Sequence, residues 1–85
     1  RMKYYKTKSN WPEAKIYEVE VERESKDSVW INGRRNAKVS TYDCYFPTWD
    51  ECYMFLLGKG ESRLRAAKER LADAENLLAE IKKLA

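Results

Sequence analysis

The chain has 85 residues, 44% hydrophobic and 36% charged, with three Gly, two Pro and a formal net charge of +3. That length accommodates one small domain and excludes two. So much apolar side chain excludes disorder, and so much charge excludes a membrane span. The chain also lacks His, the usual general base, the commonest metal ligand and the physiological pH switch.

There is no glycine-rich phosphate loop, no Ser/His or Cys/His pair and no carboxylate pair directed at a cleft, so the sequence reads as a non-enzyme without cofactor or metal. Cys44 and Cys52 lack zinc-site clustering. They read as small apolar packing residues, kept reduced in the cytoplasm. Arg1 before Met2 reads as a cloning remnant, with the natural chain starting at Met2.

Charge is unevenly spread. Residues 1–14, with Lys3, Lys6, Lys8, Tyr4, Tyr5 and Trp11, hold no periodicity for long and read as a basic arm. Residues 15–24 alternate Tyr17, Val19 and Val21 with Glu18, Glu20 and Glu22, the period of a half-buried strand. A turn at Ser25-Lys26-Asp27 leads to a short second strand, Val29-Trp30-Ile31. Asn32-Gly33 then supplies the two positive-φ positions of a type I′ hairpin. A third strand is expected over residues 37–46, which would complete a three-stranded antiparallel meander. If the valines face the helix in that arrangement, Trp30 lies on the open face beside the glutamates, either exposed there or packed against the arm with Tyr4, Tyr5 or Trp11.

Pro47 ends the sheet, and Thr48-Trp49-Asp50-Glu51 fits a capping box that opens a helix. Residues 51–57 offer Cys52, Tyr53, Phe55, Leu56 and Leu57 to the sheet, so residues 15–57 are expected to hold the core. Gly58 and Gly60 mark either a break or a close packing point. Residues 61–84 are dominated by Ala, Leu, Glu, Lys and Arg. With Leu57 at heptad position a, Leu64, Leu71 and Leu78 follow at a, while Ala67, Ala74 and Ile81 fall at d. A helix from residue 48 to 85 would be ~57 Å long, whereas strands of six to ten residues reach only about 20–34 Å. The last turns outrun any sheet this chain can build. Residues 58–85 are therefore expected to form a coiled coil with a second copy.

The candidate partner surface is Glu18, Glu20, Glu22 and Trp30 together with Arg34 and Arg35 after the hairpin. Arg34, Arg35 and Lys38, with Lys3, Lys6 and Lys8, also suit a nucleic-acid backbone. The run Tyr45-Phe46-Pro47-Thr48-Trp49-Asp50-Glu51-Cys52 resembles the strand end, Thr cap and acidic first turn of the plant AP2-type DNA-binding domain and of the arm-binding domains of some phage integrases. The resemblance spans roughly residues 16–57 and implies a three-stranded sheet plus helix that reads the major groove. Glutamates on the sheet would repel phosphate, which ranks DNA binding second. The whole pattern of arm, meander, T-W-x-E helix start and charged C-terminal helix is similar to small phage- and prophage-encoded proteins. That similarity implies a cytoplasmic accessory factor that works by binding, as an inhibitor or modulator of a host or defence protein. The sequence thus predicts an α+β homodimeric interaction module with an unidentified protein partner and no role for a membrane.

Overall fold

Strand alternation begins earlier than expected. In the structure, a computed structural model describing residues 1–85, the first strand is β1, Met2–Lys8. Residues 1–14 are therefore not an arm. The adjacent Tyr4 and Tyr5 hide the pattern, because β1 is the central strand of a sheet covered on both faces and so carries apolar side chains in both directions. Its antiparallel neighbours are β2, Tyr17–Val21, and β6, Asp43–Phe46, in the order β2-β1-β6. The register sets Tyr4 opposite Val19 and Tyr5 opposite both Glu18 and Phe46.

The expected single meander is replaced by two three-stranded sheets. The second contains β3, Arg23–Glu24, β4, Ser28–Ile31, and β5, Arg34–Ala37, in chain order. Asn32 and Gly33 take φ of 51° and 77°, giving the β4–β5 hairpin its positive-φ pair. The strand expected over 37–46 is split because Ser40 turns the chain: its backbone N–H donates to the Asp43 carbonyl at 2.9 Å, and its hydroxyl accepts the Asp43 N–H at 3.1 Å. β6 then returns to pair with β1. The strand expected over 15–24 is also interrupted. Arg23 pairs with Trp30, and the Glu22 N–H also donates to the Trp30 carbonyl, so two residues oppose one and form a bulge between β2 and β3.

The two faces of β1 define the layers. Tyr4 packs with Val21, Tyr45 and Val29, and Val19 and Ile31 flank this cluster, so the valines of β2 face the second sheet rather than the helix. A polar clamp closes the same junction: the Tyr4 hydroxyl donates to the Glu24 carboxylate, and Lys38 Nζ lies 3.7 Å from that carboxylate. On the other face, Thr7 and Cys44 are buried with Cys52 of the helix, and Phe46 meets Phe55 at 5.3 Å between ring centroids. The core thus includes β1 and extends beyond the 15–57 segment.

The helix α1, Trp49–Lys82, starts where the capping box places it. Thr48 Oγ1 accepts the Glu51 backbone N–H at 3.2 Å and donates to the Glu51 carboxylate at 3.0 Å. It runs unbroken through Gly58 and Gly60, neither of which has a neighbour that a methyl group would touch. Thirty-four residues give about 51 Å of helix. The molecule is accordingly 68 Å long but only 21 by 18 Å across. No helix is long and apolar enough to cross a membrane.

Because Val29 is fully buried between the sheets whereas Val39 is exposed, Val29→Ala should lower the unfolding free energy by roughly 2 kcal/mol and Val39→Ala by less than about 0.5 kcal/mol, as read from urea midpoints.

Candidate functional site

Residues 9–16, between β1 and β2, turn toward the first helical turns and are held there by backbone contacts. Thr7 Oγ1 donates to the Lys15 carbonyl at 2.9 Å, Asn10 Nδ2 to the Thr41 carbonyl at 2.8 Å, and the Ser9 N–H to the Tyr42 carbonyl at 3.0 Å. The loop and helix enclose an open groove of about 970 Å³ with Trp11, Ile16, Trp49, Tyr53, Leu57 and Leu64 on its walls. Trp49 and Tyr53, one helical turn apart, stack at 5.3 Å with planes 7° apart. The Arg63 guanidinium lies 5.9 Å from the Trp11 ring. Glu13, Lys15 and Glu61 supply charge at the rim.

The expected helical stripe continues out of this groove. Leu57 and Leu64 are wall residues, while Leu71, Leu78 and Ile81 follow along the same face, all exposed. Ala67 and Ala74 lie between them and are also exposed. From residue 67 to the end of α1, every residue is exposed. The structure therefore joins the stripe to a groove that the sequence did not indicate. Trp49 and Tyr53 at i, i+4 were a legible aromatic pair; Trp11 carried no signal in an aperiodic loop.

The remaining expected residues do not form one surface. Glu18 and Glu20 lie on the face of β2 turned to the helix layer, where Lys3 Nζ meets Glu18 at 2.9 Å and Arg1 meets Glu20 at 3.2 Å. The Glu18 carboxylate holds the Lys3 ammonium's pKa above its ordinary value. Glu22 turns to the hairpin and accepts the Gly33 N–H. Trp30 points the other way, on the outer face of the second sheet, with the Arg23 guanidinium 3.7 Å from its ring centroid and Arg35 opposite it on β5. Arg34 pairs with Ile31 and therefore leans to the opposite face from Arg35. Arg23 was missed because the bulge at Glu22 reverses the alternation.

The Cys, Asp and Glu side chains nowhere gather in threes that could hold a metal ion. Burial pushes the Cys44 thiol up, and burial followed by the neighbouring Cys44 pushes Cys52 up to about 11. Both Cys are free and buried, and the upward shift lowers their thiolate fraction near neutral pH. Tyr45 is shifted up as well, first by burial. Against family models, curated proteins and solved structures, the chain matches none.

Cys44, Cys52 and Tyr45 hold their protons more tightly in the fold than in the unfolded chain, so their contribution to stability is complete below the ordinary thiol value. For Cys52 it is lost as pH rises through about 11, and for Cys44 and Tyr45 as pH rises above their ordinary values. Urea midpoints should hold steady up to about pH 9 and fall toward pH 11, with Cys52→Ala flattening part of that fall. At about pH 8 both thiols should react with a thiol reagent only after denaturation.

Proposed function

We propose that the chain is a non-enzymatic protein-interaction module that works as a homodimer through the α1 stripe. One observation carries this reading: a ladder of exposed leucines at heptad spacing that starts in an apolar groove and continues along about half of a 34-residue helix that nothing in its own chain covers. A helical segment without a packed face is marginal in water, so an ordered tail of this length calls for a partner. A second copy brings the same stripe and needs no further gene product. With the resemblance to small phage-encoded proteins, this supports a cytoplasmic accessory factor whose dimer presents two copies of its outer surfaces to a host or defence protein.

Sedimentation equilibrium at tens of micromolar should give a dimer, and helical circular dichroism should fall on dilution as the tail frays. Leu71→Glu with Leu78→Glu should give a monomer that keeps its sheet core but loses that concentration dependence. A wild-type monomer throughout the range would end the reading.

The Arg23–Trp30–Arg35 row favours a second reading, nucleic-acid binding by the outer sheet face. Glu18 and Glu20 face the helix layer and so do not oppose a phosphate backbone at this surface. If Arg23 and Arg35 each hold a phosphate, duplex affinity should fall roughly 12-fold between about 50 and about 200 mM salt. Absence of binding at the lower salt would exclude it.

A further inference from the structure

We infer that the two copies pair antiparallel in a single register, with the C-terminal end of each α1 closing the groove of the other; the inference rests on the dimer reading. Layer size is the first reason. A parallel pair would set Ala67 against Ala67 and Ala74 against Ala74 between Leu–Leu layers, leaving alternate layers hollow. An antiparallel pair sets each a position against a d position, so every layer combines a large side chain with a smaller or branched one.

Charge selects the register. Position e carries Glu61, Lys68, Glu75 and Lys82, and position g carries Arg63, Arg70, Leu77 and Leu84. When Leu71 meets Ala74 of the second copy, Leu78 meets Ala67 and Leu64 meets Ile81. The flanking contacts are then Lys68 with Glu75 and Glu61 with Lys82, each made twice, and the arginines at g meet only leucines: Arg63 with Leu84 and Arg70 with Leu77. One heptad toward the N-terminus, Lys68 would face Lys68, Arg70 would face Arg70 and Glu61 would face Glu75. One heptad toward the C-terminus, Glu75 would face Glu75 and Lys68 would face Lys82. A parallel pair would set Arg63 against Lys68. Only the first register has opposite charges throughout and no like pair.

The same register identifies what fills the groove. Leu64 meeting Ile81 and Arg63 meeting Leu84 bring the second copy's last helical turn against the groove wall where Arg63 sits beside Trp11. Glu61 at the rim receives Lys82, and the negative end of the arriving helix dipole approaches Arg63. The overlapping strips, about 39 Å long and about 10 Å wide, offer on the order of 800 Å² over both copies. Specific interfaces begin near 1,000 Å², a value that the strips reach only with the groove walls added.

Spin labels at exposed Ser62→Cys and, separately, Asn76→Cys test this by electron dipolar spectroscopy, with labelled wild type reporting any background from the buried native thiols. The antiparallel register expects about 35–40 Å at residue 62 and about 20 Å at residue 76, whereas a parallel pair gives about 20 Å at both. Lys68→Glu should raise the dimer dissociation constant roughly tenfold, and adding Glu75→Lys should restore it. In a parallel pair Lys68→Glu would instead tighten the dimer by removing its clash with Arg63. Two short distances overturn this inference and leave the dimer intact; no dipolar signal from a chain that sediments as a monomer overturns both.

Discussion

Burial of β1 on both faces is the constraint from which the rest of the architecture follows. Tyr4 turns toward the second sheet and Thr7 toward the helix, and both are almost fully buried. A strand covered on both sides must be central, so the chain has to supply neighbours on either edge. β2 provides one edge through the loop that becomes the groove wall, and β6 provides the other by leaving the second sheet at Ser40. The bulge at Glu22 follows from the same requirement. One continuous pairing cannot serve both layers, and the extra residue bends the chain from the first sheet into the second.

Two layers on a central strand consume the chain's apolar side chains quickly. Nine of 85 residues are buried, and only one of them, Cys52, belongs to the helix. A core this small gives limited stability. The helix carries most of its leucines past the end of the sheets, where within one chain they stabilise nothing. Leucine at seven-residue spacing is costly to leave in water, and the charges that flank it on α1 are of both signs. Size limit and stripe are thus two aspects of one sequence, in which apolar surface that a larger core would have buried internally stays exposed along α1.

Local chemistry made much of this legible. Asn32-Gly33, the Thr48 cap, the alternation of Tyr17, Val19 and Val21 and the α+β class all follow from the residues themselves, because each is decided within a few positions. What failed was decided at a distance. Tyr4-Tyr5 looks aperiodic unless a layer lies on each side. The Ser40 turn looks like strand because Val39, Thr41 and Tyr42 favour β structure wherever they occur. The bulge at Glu22 is invisible in composition, and it moved Arg23 onto the face of Trp30 and separated Glu18 and Glu20 from it. The groove was unreadable for a related reason: Trp11 gains a role only once Thr7 and Asn10 have fixed the loop beside α1.

That separation of faces changes the meaning of the charge. On the helix side of the first sheet, Glu18 and Glu20 are answered by Lys3 and Arg1, so their field is largely cancelled within the layer. The outer face of the second sheet has no such pairing. The Arg23 guanidinium lies over Trp30, where the indole ring attracts its charge, and Arg35 stands across the strand from the same ring. A guanidinium resting on an aromatic face keeps its in-plane N–H groups free for a carboxylate or phosphate. The net charge of +3 therefore understates this surface, because it averages a neutralised face with one whose cations make no ion pair.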